Sequence, residues 1–283
     1  MLNKNIHSFL GCESEYNDAQ TVIFGAPFDG TTSFRPGTRF AGSEMRNTSF
    51  GIETFSPYQD KDLFDIRVFD GGDLEFPFGN VEKVLKIIKN YTEKVLNDNK
   101  KFIMIGGEHL VSLGSIRATA EKYGDLHIIH FDAHADLRNE YLGEQLSHAC
   151  VMRRAHEIVG DGKIYQFGIR SGDRDEFLFA ENHTFMQKFD LQNFKTVVDK
   201  LRDKKVYFSL DLDILDPSIF CGTGTPEAGG VSFIQLLDSI LLLRKLDIVG
   251  ADINELSPIY DQSGVSTAVA NKILRELLLI ITK

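Results

Sequence analysis

The stretch from Leu126 to Asp136 reads LHIIHFDAHAD and decides the fold class of this 283-residue chain. Its first half is a short apolar, β-branched run, which is typical of a strand buried on both faces. Three ionisable residues then follow at alternate positions, namely Asp132, His134 and Asp136. Parallel sheets place their ligand sites beyond the carboxyl ends of their strands, so these residues become candidates for a functional site.

Six similar apolar runs lie elsewhere in the chain and predict further buried strands. They are Thr21–Gly25, Ile66–Asp70, Phe102–Gly106, Ile164–Gly168, Val206–Leu210 and Ile248–Asp252. Segments with apolar residues at helical spacing separate them, for example Val81 to Val95, Ile234 to Leu241 and Ala268 to Ile281. Asn80 and Ser232 are the expected N-caps of the first two.

Strands that alternate with helices predict a three-layer α/β/α fold with a central, mostly parallel sheet. No linker or low-complexity segment interrupts the pattern, so residues 1–283 are expected to form a single domain. Hydrophobic residues make up 42% and charged residues 25% of the chain, which suffices for a large core and excludes wholesale disorder.

Charge and cysteine content exclude other classes of protein. Asp and Glu number 41 against 31 Lys and Arg, and the resulting net charge of -10 argues against nucleic acid and anionic membranes as partners. No apolar run is long enough for a signal peptide or a membrane span. The three cysteines, Cys12, Cys150 and Cys221, are widely separated and do not suggest disulfides. We therefore expect a cytoplasmic protein.

Two further predicted strands also end in residues that bind metals. Gly106-Gly-Glu-His109 follows one, and Asp211-Leu-Asp213 follows another. If these strands neighbour the one before Asp132, all of these side chains meet at one edge of the sheet. The predicted metal ligands are His109, Asp132, His134, Asp136, Asp211 and Asp213.

Four aspartates in one place repel each other unless a cation lies between them. Two divalent ions supply a charge that balances the four carboxylates, and the two histidines add neutral nitrogen ligands. A set of carboxylates and imidazoles without thiolates favours manganese, with iron, cobalt and zinc as alternatives. His127 and His130 lie within the apolar run and are expected to be core residues rather than ligands.

The combination of motifs resembles the ureohydrolase family, which includes arginases and agmatinases. The matching stretches are Gly25–Asp29, Gly106–His109, Asp132–Asp136, Ser209–Pro217, Gly222–Pro226 and Asn254–Pro258. Leu146–Cys150 and Ser257–Gln262 look most like agmatinases. Glu108 departs from the family pattern, in which Asp is commoner at this position. The resemblance implies an arginase-like sheet of about eight strands and a homo-oligomer, either a trimer or a hexamer.

The resemblance also implies two Mn²⁺ ions with shared ligands. Asp132 and Asp211 would bridge them. The first ion would be held by His109, Asp132, Asp136 and Asp211, and the second by His134, Asp132, Asp211 and Asp213. The implied reaction is hydrolysis of a small cationic guanidino substrate to urea and an amine, with agmatine and putrescine as the leading pair.

Three residues are predicted to take part in catalysis. Glu255 follows a predicted strand and can bind a planar guanidinium through paired hydrogen bonds, in agreement with the resemblance. Asp136, as a predicted metal ligand, would lie beside the attacking water and could relay its proton to the leaving amine. His148 matches the loop histidine of the family, and a histidine can shuttle protons at neutral pH.

Other functions remain open at this stage. The substrate could instead be guanidinobutyrate, formiminoglutamate or arginine, because the metal site would be unchanged. A binuclear phosphoesterase fits the order of the motifs poorly, and a one-metal deacetylase leaves Asp136 and Asp213 without a role. A non-catalytic metal-binding relative would lack Glu255 or His148, and both are present.

Overall fold

The computed structural model describes residues 8–282, and its main feature is an eight-stranded sheet. The strands of the described chain are β1 Thr21–Gly25, β2 Phe55–Ser56, β3 Lys61–Asp62, β4 Val68–Asp73, β5 Lys101–Ile105, β6 Leu126–Phe131, β7 Ile164–Ile169, β8 Phe185–Lys188, β9 Lys205–Asp211 and β10 Asp247–Asn254. The main sheet has the order β4-β1-β5-β10-β9-β6-β7-β8, and every neighbouring pair is parallel. This confirms the predicted parallel sheet.

Helices connect the strands and cover both faces of the sheet. They are α1 Ala41–Thr48, α2 Val81–Asn97, α3 Ser112–Tyr123, α4 Val151–Val159, α5 Arg174–His183, α6 Phe194–Lys200, α7 Phe233–Leu242 and α8 Val265–Ile281. Both expected N-caps are present: the Asn80 side chain accepts a hydrogen bond from the Lys83 amide, and Ser232 forms a capping box with Gln235.

β4 and β8 differ most from the sequence prediction, and the two-residue strands β2 and β3 were not predicted either. β4 begins at Val68 rather than Ile66 and continues to Asp73. β8 was not predicted at all, because this edge strand is short and partly exposed and carries the polar residues Gln187 and Lys188. An apolar run marks a central strand that is buried on both faces, but it does not mark an edge strand.

The core consists of two apolar clusters, one on each side of the sheet. Alternate residues of a strand point to opposite faces, so Ile128 of β6 joins one cluster and Ile129 joins the other. Ile88 of α2 packs in the first cluster, and Leu277 of α8 packs in the second. Burial on both faces explains why the central strands are continuously apolar.

The register of the central strands places the candidate site. Ile105 of β5 pairs with Ile253 of β10, and Leu210 of β9 pairs with both Ile253 and Phe131 of β6. The carboxyl ends of these four strands therefore lie side by side, and the polar residues after them share one edge of the sheet. None of the helices within residues 8–282 combines the length and apolar character needed to cross a bilayer.

Candidate active site

His109 lies at the centre of a group of carboxylates at this edge. Its Nδ1 atom lies 3.0 Å from Oδ2 of Asp132, 3.3 Å from Oδ2 of Asp136 and 3.3 Å from Oδ2 of Asp211. All four residues are buried. Three separate strand ends thus deliver the four residues that sequence analysis assigned to the first metal ion.

His134 forms a second group beside the first. Its Nδ1 atom lies 3.0 Å from Oδ2 of Asp213 and 3.5 Å from Oδ1 of Asp132. Asp132 therefore directs one oxygen toward His109 and the other toward His134. The structure brings all six predicted ligands together, with Asp132 common to both groups.

The backbone reaches this arrangement by a path that sequence analysis did not predict. The alternate spacing of these residues predicts an extended chain in which their side chains point the same way, but Asp136 has a φ of 53° and Asp213 lies in a 3₁₀ turn. Two of the aspartates hydrogen-bond to the backbone two residues after them. Oδ1 of Asp132 accepts a hydrogen bond from the His134 amide at 2.5 Å, and Oδ1 of Asp211 accepts one from the Asp213 amide at 2.8 Å.

A buried hydrogen-bond chain fixes the tautomer of His109. Ser209 Oγ donates to Oδ1 of Asp252 at 2.7 Å, because a carboxylate can only accept. The same hydroxyl lies 2.9 Å from His109 Nε2 and therefore accepts from it. In the neutral ring that binds a metal, Nε2 then carries the hydrogen and the lone pair of the buried Nδ1 faces the three carboxylates. No group within residues 8–282 hydrogen-bonds to Nδ1. An unpartnered nitrogen among carboxylates fits a divalent cation.

Asp252 keeps further partners of its own. Tyr207 donates its hydroxyl hydrogen to Oδ2 at 2.5 Å, and the Asn254 amide donates to Oδ1 at 2.6 Å. Asn254 also donates to Ser112 on α3. Sequence reasoning did not assign this network, although Ser209 and Asp211 alternate on β9 and therefore share one face of the sheet.

His130 is buried as expected, but it also contacts the site. Gln166 donates to its Nδ1 atom at 3.1 Å, so Nε2 carries the hydrogen and donates to Oδ2 of Asp132 at 2.8 Å. Sequence analysis gave His130 no part in the site. The signal for it was the i, i+2 spacing to Asp132, which places both side chains on one face of the chain.

The shifts in pKa reveal an excess of negative charge in this region. Burial raises the pKa of Asp211, and repulsion from Asp213 and Asp132 raises it further. Burial alone would lower the pKa of His109, but its contacts with the carboxylates outweigh this effect and raise it well above the usual value. A bound cation relieves the same repulsion, so the electrostatics also fit a metal centre.

Glu255 lies directly beside His109. Its Oε1 atom accepts a hydrogen bond from the His109 amide at 2.7 Å, and its own amide donates to the Gly107 carbonyl at 3.0 Å. Oε2 has no hydrogen bond to residues 8–282 and approaches Gly224, whose Gly-Thr-Gly-Thr-Pro loop faces it. Burial raises the pKa of Glu255, and the nearby charge of Glu108 contributes.

His148 lies in a loop that Glu108 helps to hold. Thr31 Oγ1 donates to Glu108 at 2.5 Å and accepts from the His148 amide at 3.1 Å. His148 Nε2 lies 3.1 Å from the hydroxyl of Ser33. Burial lowers the pKa of His148, so its ring is neutral at pH 7. Glu108, the departure from the family pattern, is long enough to connect the His109 turn to this loop.

One pocket joins these features. Its wall contains the predicted ligands His109, His134, Asp136 and Asp211 together with Glu255 and His148. All three residues that were predicted to take part in catalysis, Asp136, His148 and Glu255, therefore line it. Residues that carry no sequence motif complete the wall, among them Ser33, Arg138, Tyr141, Ser171, Glu176 and Thr225. The pocket thus has the predicted metal ligands at its bottom and a further carboxylate, that of Glu255, which can bind a cationic substrate.

Comparison with known proteins identifies the family. The model of the arginase family matches residues 19–280. The chain belongs to the arginase family. An agmatinase from Halalkalibacterium halodurans is 45% identical over 275 residues, and one from Bacillus subtilis is 44% identical; each alignment covers 96% of this chain and 95% of the relative.

Solved structures show the same relationship. A protein from Clostridium difficile is 51% identical with a TM-score of 0.93, and the match covers 95% of this chain and 99% of that one. The agmatine ureohydrolase of Thermoplasma volcanium is 32% identical with a TM-score of 0.89, covering 98% and 95%. The predicted arginase-like fold and enzyme class, a metal-dependent hydrolase of guanidino compounds, are confirmed.

Proposed function

We propose that this member of the arginase family hydrolyses agmatine to urea and putrescine with two Mn²⁺ ions. The observation that carries the proposal is the convergence of the six predicted ligands at one edge of the sheet, where four of them line a pocket together with Glu255 and His148. The agmatinases that are 43–45% identical over almost the whole chain support agmatine as the substrate.

The donor set supports two manganese ions. One ion would be held by His109, Asp132, Asp136 and Asp211, and the other by His134, Asp132, Asp211 and Asp213. Asp132 already turns one oxygen to each histidine, as a bridging ligand must. Carboxylate and imidazole donors without a thiolate suit Mn²⁺. When bound, the ions supply the Lewis acidity that makes a water molecule nucleophilic near neutral pH.

Glu255 would bind and orient the substrate. Oε1 is held by the His109 amide, which fixes the carboxylate next to the metal site. Oε2 is free to accept from the guanidinium, and the second lone pair of Oε1 can accept in parallel. These hydrogen bonds would place the guanidinium carbon next to the predicted metal ligands. The amine tail would then extend along the remaining wall of the pocket.

Asp136 and His148 would move the proton. Asp136 reaches both the first metal group and the pocket, so it can accept the proton of the attacking water and hold it for the leaving nitrogen. The ring of His148 is neutral at pH 7 because burial lowers its pKa, and it can therefore accept and pass on a proton. Its contact with Ser33 orients the ring toward the pocket.

The tail of the substrate separates agmatine from its competitors. Arginine and guanidinobutyrate carry a carboxylate at the far end, and formiminoglutamate carries two. Among the pocket residues, Arg138 is already paired with Asp173 at 2.8 Å and lies over the Tyr141 ring. The buried carboxylate of Glu176 also lines the pocket. Arg138 also lies 3.5 Å from Glu176, so among the pocket residues its guanidinium is already paired twice and offers little to a distal carboxylate, which supports a tail without one.

We further propose a single domain that assembles into a homo-oligomer, either a trimer or a hexamer, in the cytoplasm. Several large aromatic side chains are exposed on the chain, including Phe34, Phe50, Phe64 and Phe78, and such residues are candidates for burial between subunits. The three free cysteines support a reducing compartment.

A substrate panel tests the proposed function. Metal-free protein is reconstituted with Mn²⁺ and given agmatine, guanidinobutyrate and arginine, with urea as the readout, and formiminoglutamate, with formamide as the readout. We expect urea from agmatine with the highest kcat/KM. A higher kcat/KM for another compound would show that this compound, and not agmatine, is the substrate. No product from any of the four compounds would favour a non-catalytic, metal-binding protein.

Glu255→Gln tests the role of the carboxylate. We expect kcat/KM to fall by at least about a hundredfold, since a hydrogen bond to a charged group contributes about 1.5–3 kcal/mol and Glu255 is assigned two. The exposed Glu75→Gln is the matched control and should leave kcat/KM unchanged. Equal activity of the two variants would remove Glu255 from the mechanism.

A further inference from the structure

A second cluster of metal-binding side chains lies on the surface, outside the pocket. His156 lies near the end of α4, Asp161 follows in the next loop, and His183 is the last residue of α5. Oδ1 of Asp161 lies 2.7 Å from Nε2 of His156 and 2.6 Å from Nδ1 of His183. Two imidazole nitrogens therefore converge on a single carboxylate oxygen.

Hydrogen bonds and ring contacts hold the backbone and the side chains around this cluster. The Gly162 amide donates to the carbonyl of His183 at 2.9 Å, which ties the loop of Asp161 to the end of α5. The ring of His183 stacks on Phe179 at 4.1 Å between centroids, and the ring of His156 meets the same Phe179 edge-on at 5.0 Å. The side chains are thus held in place before any ligand arrives.

The charges near the cluster favour a cation. Within residues 8–282, Asp161 forms ion pairs with the two histidines and with neither a lysine nor an arginine. The carboxylate therefore has no permanent positive partner there. The Arg153 guanidinium is one positive charge close to the cluster, and it lies over the Phe179 ring.

We propose that His156, Asp161 and His183 form a second metal site that binds Zn²⁺, Ni²⁺ or Cu²⁺ in preference to Mn²⁺. Two imidazoles and one carboxylate are the ligand set of open zinc sites, and solvent completes the coordination because Asp161 is exposed. Nitrogen donors favour the later metals of the first transition row, whereas the oxygen-rich pocket favours manganese.

Binding requires a small rearrangement. Tetrahedral coordination at about 2.0–2.2 Å separates neighbouring donor atoms by about 3.4 Å, so each nitrogen must move away from the carboxylate by about 0.7 Å. Asp161 is exposed and His183 is about one third exposed, so both side chains can make this change without disturbing the core. Each imidazole places its hydrogen on the other ring nitrogen and gives its lone pair to the metal.

Zinc stoichiometry tests the site in the intact chain. Protein is first loaded with Mn²⁺ and freed of excess, and Zn²⁺ is then titrated with calorimetry and metal analysis. We expect the wild type to bind one additional Zn²⁺ ion that His183→Gln and Asp161→Asn do not bind. If the variants still bind this ion, we expect their Kd for it to be at least about tenfold higher. Glu181→Gln removes one exposed charge from the same helix and should behave as the wild type. Equal zinc binding by all four proteins would overturn the proposal.

A copper spectrum gives a test that needs no variant. In the electron paramagnetic resonance spectrum of Mn²⁺-loaded wild type with one added equivalent of Cu²⁺, we expect hyperfine splitting from two imidazole nitrogens. In the pocket, each assigned ion has a single histidine ligand, so displacement of manganese there would give one nitrogen. A one-nitrogen signal would overturn the second site and leave the proposed function untouched.

Discussion

Ser209→Ala is the sharpest test of how the chain prepares its metal site. The hydroxyl of Ser209 accepts from Nε2 of His109 at 2.9 Å and donates to Asp252 at 2.7 Å. Asp252 keeps Tyr207 and Asn254 as donors when the hydroxyl is removed. The variant therefore removes the group that fixes the His109 tautomer and leaves the carboxylate behind it satisfied.

The magnitude follows from that single lost contact. Without Ser209, the buried Nε2 hydrogen of His109 has lost its acceptor, at a cost of about 1–3 kcal/mol. The ring can avoid this cost by moving the hydrogen to Nδ1, where Asp132 accepts it, but this blocks the atom that is assigned to the metal. Either way, we expect the Kd for Mn²⁺ to rise about 10- to 100-fold, as for other groups that orient a metal ligand.

The assay is a Mn²⁺ titration of metal-free protein followed by electron paramagnetic resonance, which reports free Mn²⁺. Ser239→Ala is the matched control, because it removes a buried hydroxyl that donates to the Gln235 carbonyl within α7. Its Kd should equal that of the wild type. A wild-type Kd in Ser209→Ala, with the control unchanged, would refute the role of the hydrogen-bond chain.

Three further variants probe the core, the pocket and the loop. Phe131→Ala should lower the free energy of unfolding by about 3–5 kcal/mol in a denaturant titration, because Phe131 packs against three aromatic rings at 4.8–5.7 Å; a loss below 1 kcal/mol would contradict this packing. Burial and the charge of Asp136 raise the pKa of Glu176 to about 7, so the uncharged form stabilises the fold and this stabilisation is lost as pH rises from 4.5 to 7. In metal-free protein, the wild type should therefore lose up to about 3 kcal/mol relative to Glu176→Gln over that range, and parallel curves would disprove it. His148→Asn should lower kcat about 10²- to 10⁴-fold with unchanged Mn²⁺ content, and loss of metal instead would show a structural role.

The central part of the fold could be predicted from the sequence, because a strand that is buried on both faces is a continuous apolar run. The β6 run Leu126–Phe131 has the bounds that were expected, and its neighbours carry the predicted ligands at their ends. The edge strand β8 has no such apolar run, because Gln187 and Lys188 reach solvent. Local composition reveals a strand only where the sheet buries it.

The residues of the candidate site could be predicted from the sequence, but the backbone conformation and the hydrogen bonds that position them could not. Motif spacing identified the six ligand candidates, yet it does not show the left-handed φ of Asp136, whose carbonyl accepts a hydrogen bond from the Met152 amide of α4. The same holds for Ser209 and Asp252, which lie on different strands and meet only because β9 and β10 are neighbours. His130 was assigned to the core because its apolar neighbours hid its i, i+2 relation to Asp132.

The proposed function requires six side chains that hold two Mn²⁺ ions and so make the chain a hydrolase of agmatine. The most direct measurement determines, on one sample, the number of Mn²⁺ ions per chain and the rate of urea release from agmatine. We predict two ions per chain at saturation and a rate that rises with occupancy and is lost with chelator. A protein that holds two Mn²⁺ ions and releases no urea from agmatine, or one that releases it equally well without metal, would contradict the account.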